Sequence, residues 1–158
     1  MRHLNARGLT LIDLTVGLSI ATLLAIGAAP YCADYIANSR LREGGELLLG
    51  EALAAQSEAV KRNNIVRLST NGATIQVIDR RDTANPVVLR QRTLSSGVFT
   101  VAASAIDFGS EGRPVPLGTH ASINLSKTGI TCSGGLHCPG LRVDGGGAIR
   151  LCDDTTAC

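Results

Sequence analysis

The sequence is poor in aromatic residues. Its 158 residues include no Trp, two Tyr and two Phe. A folded core must therefore be built from Val, Ile, Leu and Ala. Aromatic platforms on which single-stranded nucleic acid could stack are not indicated.

Motifs for catalysis and for cofactor binding are also missing from the sequence. His120 and His137 lie in loop-like segments without a nucleophile motif, a metal-spaced partner or a phosphate-binding loop. The run Gly145-Gly146-Gly147 lacks the strand, helix and lysine of a nucleotide site and is predicted to form a flexible turn. We therefore expect no enzyme activity, no cofactor and no resident metal.

A long uncharged run is present near the start of the chain, from Leu14 to Ala33. As a helix it would rise by about 30 Å, the hydrocarbon thickness of a bilayer. A short basic leader and the segment Arg7-Gly8-Leu9-Thr10-Leu11-Ile12-Asp13 precede it. An unpaired charge buried in lipid costs several kcal/mol, so Asp13 needs a cationic partner.

This order of leader, glycine, carboxylate and apolar run resembles the class III signal of type IV pilins and pseudopilins. The resemblance implies that prepilin peptidase cuts between Gly8 and Leu9 and methylates the new terminus. The α-amino group of Leu9 would then lie one helical turn from Asp13. The family usually has Glu and Phe at the positions of Asp13 and Leu9, so both residues depart from its pattern.

Two alternatives to this interpretation are a secretory signal peptide and a plain membrane anchor. A secretory signal would place its small-residue cleavage site after the apolar run, not before it.

Pro30 lies within the run and is predicted to kink the helix. Pilins have a helix-breaking Pro near this depth, although a tolerated kink is the alternative. Cys32 is expected to be a small buried apolar residue.

The mature chain is predicted to be nearly neutral. Removal of the leader takes away Arg2 and Arg7 and leaves 13 basic side chains against 13 acidic ones. A general electrostatic attraction to nucleic acid, which requires a basic patch or a basic domain, is therefore not indicated.

Beyond Tyr31 the apolar pattern becomes amphipathic, and one helix is predicted from Leu9 to Arg62. Gly44 and Gly45 are expected to weaken it by about 1 kcal/mol each. Its apolar stripe consists of Leu41, Leu48, Ala52, Ala55 and Ala59.

Strand character follows the helix. Asn71-Gly72 between two β-prone runs predicts a hairpin. The predicted strands are Ile65–Leu68, Ala73–Ile78, Val87–Thr93, Val98–Ala102, Ala105–Phe108, Ala121–Ser126, Leu141–Val143 and Ile149–Cys152. Turn-rich segments are predicted at Asp82–Pro86, Gly109–Gly118 and Asp144–Gly147. The fold class is α+β, with the long N-terminal helix packed on an antiparallel sheet.

Two further segments narrow the resemblance. Glu58-Ala59-Val60-Lys61-Arg62-Asn63 and Ile106-Asp107-Phe108-Gly109-Ser110-Glu111-Gly112-Arg113-Pro114 are similar to segments of the FimT, FimU and GspH-type minor pilins and pseudopilins. The resemblance implies a leader at residues 1–8, a single-pass inner-membrane and filament-core helix at 9–33, and a periplasmic head at 34–158. Asn63 is predicted to end the helix, and Gly109 with Gly112 to permit a tight turn.

Four cysteines, Cys132, Cys138, Cys152 and Cys158, lie in the last quarter of the chain. An even set in an exported chain predicts disulfides, with three connectivities open. We favour a connectivity that includes the cross-strand bond between Cys132 and Cys152, because each ends a strand-like run. Zinc is the alternative, but the spacing between Cys132 and Cys138 differs from that of known zinc motifs.

Three functions follow from the resemblance. The first is a minor pilin that joins other pilins through its N-terminal helix in the tip or priming complex of a type IV pilus. The second is a type II secretion pseudopilin of the GspH type. The third is a DNA-binding minor pilin for DNA uptake. Some similar proteins bind DNA through a Gly-Arg-x-Arg motif, whereas this chain has only Arg142 and Arg150 near Gly140 and Gly147. DNA binding is therefore not favoured.

Overall fold

One long helix begins the described part of the chain. The structure, a computed structural model, describes residues 10–133 and 136–154, without the side chains of residues 29 and 30. Helix α1 spans Leu11–Arg62, in agreement with the predicted helix. It continues through position 30, and the kink at Pro30 stays a prediction.

The chain divides into two compact units, Met1–Tyr35 and Ile36–Cys158. In the first unit, the segment Leu11–Ala28 of α1 has a mean hydropathy of 2.0, and none of it is buried. Its length and composition suit a membrane span. Cys32 is exposed, so the expectation that it is buried was wrong. The reason is that the described part of this unit is a helix with no second element to cover it.

Within the described residues, strands follow α1 in the second unit. They are β1 Val66–Asn71, β2 Thr74–Asp79, β3 Val87–Thr93, β4 Val98–Thr100, β5 Ser104–Phe108, β6 Pro114–Val115, β7 Ala121–Lys127, β8 Gly140–Val143 and β9 Ile149–Cys152. The predicted α+β class with antiparallel strands is confirmed. The two-residue strand β6 lies inside a segment that the sequence analysis assigns to turns.

The strands form two sheets rather than the one expected. The first has the order β3-β2-β1-β5-β6 and the second β4-β7-β8-β9. The hairpin of β1 and β2 contacts the second sheet at its tip, where Thr100 donates a backbone hydrogen bond of 2.9 Å to the carbonyl of Gly72. The φ of Gly72 is +56°, a backbone conformation that favours glycine.

The core lies between the second half of α1 and the two sheets. The stripe predicted on α1 is confirmed, because each of its five members is fully buried. The first sheet contributes Val66, Leu68, Ile75, Val77, Ile106 and Phe108, and the second contributes Val98, Ile123, Leu125, Leu141 and Val143.

Gly44 and Gly45 are buried where α1 meets the second sheet. A Cβ atom at Gly44 would lie 3.1 Å from Val98 Cγ1, and one at Gly45 would lie 3.1 Å from the Pro139 ring and 3.2 Å from Leu151. The helix is continuous here. The two glycines therefore permit a close approach that any larger residue would hinder.

The helix ends as predicted at Asn63. This residue has a φ of +48°, and Asn64 N–H donates to the Ala59 carbonyl at 3.2 Å, as in a C-terminal helix cap. The predicted tight turn is also present. Gly112 has a φ of +73°, and Gly109 N–H donates to the Arg113 carbonyl at 2.9 Å.

An ion pair with a buried carboxylate holds the edge strand β3 to α1. Glu51 is 3% exposed. Arg90 donates to both of its carboxylate oxygens, through Nε at 3.0 Å and Nη2 at 2.9 Å. Arg92 Nε lies 3.5 Å from the same carboxylate. A two-point contact of this kind fixes the orientation of the two side chains as well as pairing their charges.

We expect Gly45→Leu to lower the free energy of unfolding by about 1–3 kcal/mol, the usual cost of overpacking. Gly50 is the matched control, because it lies on the same helix with no atom within 4 Å of its added Cβ. Gly50→Leu should raise the free energy of unfolding by about 0.5–1 kcal/mol through helix propensity. Denaturant unfolding of a fragment of residues 34–158 measures both. Equal effects at the two sites would contradict the packing role of Gly45.

Candidate functional site

The start of α1 is organised by Thr10 and Asp13. Thr10 donates to Asp13 Oδ2 through its backbone N–H at 3.1 Å and through its hydroxyl at 2.7 Å. In return, the N–H of Asp13 donates to Thr10 Oγ1 at 3.2 Å. This reciprocal pattern is a capping box, which satisfies backbone donors at a helix N-terminus.

The sequence pattern indicated Asp13 but not its partner Thr10. A Thr followed three residues later by an acidic residue at the start of an apolar run is a signal that could have found it. Gly8 and Leu9, the predicted processing residues, lie outside the described residues. Their roles and the pairing of Asp13 with a new amine stay predictions.

A disulfide closes a short loop after β7. Cys132 and Cys138 are bonded, with their Cα atoms 5.6 Å apart, within the usual range for disulfides. The pairing of Cys132 with Cys152 favoured above was therefore wrong. The reason is that β7 ends at Lys127, so Cys132 lies in a loop and does not end a strand.

Cys152 is buried on β9 and is also disulfide-bonded. Cys158 lies outside the described residues, and its participation in a disulfide stays a prediction. Among the described residues, no group of three or more His, Cys, Asp or Glu side chains is placed to hold a metal ion.

Arg142 and Arg150 are brought together by the pairing of β8 and β9. They are directly opposite each other in the register, although the sequence separates them by the hairpin turn. Arg142 Nη1 donates to Asn124 Oδ1 at 2.7 Å and to the Leu141 carbonyl at 3.0 Å. The two cations therefore share one face of the second sheet.

An acidic residue stands beside this pair. Asp144 accepts a hydrogen bond of 2.8 Å from Arg150 Nη2, and His120 Nδ1 lies 3.9 Å from its other oxygen. The pair thus borders a depression of about 300 Å³ that also contains a carboxylate. Asp144 therefore balances positive charge of the pair locally.

Gln56 fixes the turn that carries Asp144. From α1, its Nε2 donates to the carbonyl of Gly112 at 2.6 Å and to that of Gly147 at 2.8 Å. These carbonyls belong to the turn before β6 and to the turn between β8 and β9. A single amide thus ties turns from both sheets to the helix, a contact that no local sequence signal predicts.

The comparisons with known proteins agree with this architecture. The family model described as type II transport protein GspH matches residues 45–156, more than half of the chain. The chain belongs to the GspH family. The predicted membership among FimT/FimU/GspH-type pilins is thereby confirmed.

Two solved structures share the fold of this GspH-family chain. Both are crystal structures of the type IV minor pilin FimU of Pseudomonas aeruginosa PAO1, in space groups P21 and P65. The first is 18% identical, has a TM-score of 0.62, and covers 76% of this chain and 93% of the FimU chain. The second is also 18% identical, with a TM-score of 0.59 and coverages of 74% and 96%. No curated protein sequence matches significantly.

Tryptic mapping tests the disulfide connectivity. Cys132 and Cys138 both lie between Lys127 and Arg142, whereas Cys152 and Cys158 both follow Arg150. We expect two separate peptides from non-reduced protein, each lighter by two hydrogens than its reduced form. A single linked peptide would contradict the local pairing.

Cys132→Ser should lower the free energy of unfolding by about 2–4 kcal/mol.

Proposed function

We propose that this GspH-family protein is a minor pilin, a structural and assembly subunit in the tip or priming complex of a type IV pilus. The observation that supports this most is the exposure of the apolar stretch Leu11–Ala28, while the stripe of α1 in the second unit is buried. An exposed apolar surface of this length needs a cover. The inner membrane supplies it before assembly, and neighbouring pilin helices supply it in the filament.

In this proposal, prepilin peptidase removes residues 1–8 and methylates Leu9. Residues 9–33 form the membrane and filament-core helix, and residues 34–158 form the periplasmic head. The new amine of Leu9, on the same or a neighbouring subunit, pairs with the carboxylate of Asp13. Pairing offsets much of the cost of keeping each charge in an apolar environment.

We expect Asp13→Ala to leave cleavage after Gly8 largely intact but to reduce incorporation into filaments, because the amine loses its counter-charge. Asp13→Glu, the family's usual residue, keeps the charge and should retain incorporation. The mass of the N-terminal peptide from membrane and filament fractions measures processing and methylation. The amount of protein in the filament fraction measures assembly.

Gly8→Leu is the control for processing and should remain uncut in the membrane fraction. If the parent protein begins at Met1 in filaments, the processing proposal is wrong. If Asp13→Ala enters filaments as the parent does, the carboxylate has no role in assembly.

The second candidate is a type II secretion pseudopilin, which the family description favours. The chemistry of the helix would be the same, but the filament would act on exported proteins. Deletion of the gene separates the two functions. Loss of surface pili with normal secretion supports the pilus, and loss of secretion with normal pili supports the pseudopilus.

The third candidate is DNA binding, which the adjacency of Arg142 and Arg150 favours. Two features count against it. Asp144 balances Arg150 at 2.8 Å, and the processed chain would carry equal numbers of basic and acidic side chains. Two arginines also contact few phosphates, which limits non-specific affinity.

We expect the fragment of residues 34–158 to give no retarded band on duplex DNA at physiological salt and micromolar protein. Any binding at lower salt should show a log–log salt slope of magnitude below about 2, since the candidate contact consists of two arginines. Asp144→Ala should strengthen this weak binding, because it releases Arg150. Tight binding at physiological salt that is lost in Arg142→Ala/Arg150→Ala would instead establish the uptake function.

A further inference from the structure

The two tyrosines of the chain lie together on one face of α1. Tyr31 and Tyr35 are the protein's entire complement of tyrosine, and the chain has no Trp. They are four residues apart, so their side chains share a helix face. Both are strongly exposed, at 78% and 77%, and both belong to the first compact unit.

Their position follows directly from the apolar span. The uncharged run, which is as long as the hydrocarbon is thick, ends at Ala33, so along the helix axis Tyr31 lies about 3 Å before this end and Tyr35 about 3 Å beyond it. The headgroup region extends about 5–8 Å beyond the hydrocarbon on each side of a bilayer. Tyr31 and Tyr35 therefore flank the boundary between the hydrocarbon and the headgroups.

The charges at the two ends of the uncharged run restrict how deep the helix can lie in the membrane. Asp13 and Asp34 bracket the uncharged residues Leu14 to Ala33, whose helical length of about 30 Å equals the hydrocarbon thickness. A shift of one turn in either direction would bring one of these carboxylates into lipid. The cost of burying an unpaired charge in lipid opposes that shift.

We propose that Tyr31 and Tyr35 form an interfacial anchor that binds the headgroup region of the membrane and sets the depth of α1. Tyrosine suits this position because its ring contacts acyl chains while its hydroxyl reaches water and headgroups. The occupant of this exposed face before filament assembly is thus the lipid–water boundary. The inference rests on the membrane anchoring in the proposed function.

Tyrosine fluorescence tests the anchor, since emission from the full-length chain comes from these two residues alone. The chain is reconstituted in vesicles of phosphatidylcholine and phosphatidylglycerol that carry a nitroxide on either the headgroup or the end of the acyl chain. We expect the headgroup label to quench the tyrosine emission at least about twofold more strongly than the chain-end label does. Tyr31→Phe and Tyr35→Phe report each site singly, and Tyr35 should be the more accessible to aqueous iodide.

Leu23→Tyr in the Tyr31→Phe/Tyr35→Phe background is the matched control. Leu23 lies in the middle of the apolar stretch and is exposed, so the order of quenching should reverse. Stronger quenching of Tyr31 and Tyr35 by the chain-end label, or quenching by iodide alone, overturns the anchor. Flotation of the chain with the vesicles is measured first. A chain that does not float overturns membrane anchoring itself, and with it both the proposed function and the anchor.

Discussion

The close approach of α1 to two sheets is the constraint on which the head unit depends. Each sheet needs an apolar partner, and a single helix supplies both. It can do so because its inner face carries glycine and alanine where the backbones come nearest. Gly44 and Gly45 meet the second sheet, and Ala52, Ala55 and Ala59 are fully buried further along. Small side chains give up apolar area, and the tight packing restores contacts between the surrounding aliphatic residues.

The Glu51–Arg90 pair closes the side of the core where the first sheet ends. Arg90 and Arg92 lie opposite Val77 and Ile75 in the register, so they occupy core-facing positions on an edge strand. Inward-pointing charges discourage the pairing of such an edge with another chain. The arginines in turn pair with the buried carboxylate of Glu51 on α1, which would be strongly destabilising without a partner. The same contact thus fixes β3 and blunts its exposed edge.

Most of the fold could be predicted from the sequence, because the signals that specify it are local. The stripe on α1, the hairpin at Asn71-Gly72 and the helix end at Asn63 depend on residues within a few positions of each other. The division into two sheets depends on contacts between distant residues, which one sequence does not encode visibly. The partner of Cys132 lies only six residues away, but cysteine spacing alone does not select one of the three connectivities. At the candidate site, pattern alone singled out Asp13. The bridge from Gln56 to Gly112 and Gly147 had no such signal.

The capping box of Thr10 and Asp13 bears on how an Asp can stand at the position where the family usually has Glu. An Asp side chain, shorter by one methylene, reaches back three residues and bonds Thr10 at 2.7 Å. Under the proposed cleavage Thr10 becomes the second residue, so this cap would stand at the new end of the chain. The carboxylate would then stabilise the first turn of the helix and face the terminal amine at the same time. A short acidic side chain would therefore be compatible with the proposed pairing, because the cap holds the carboxylate of Asp13 near the new terminus.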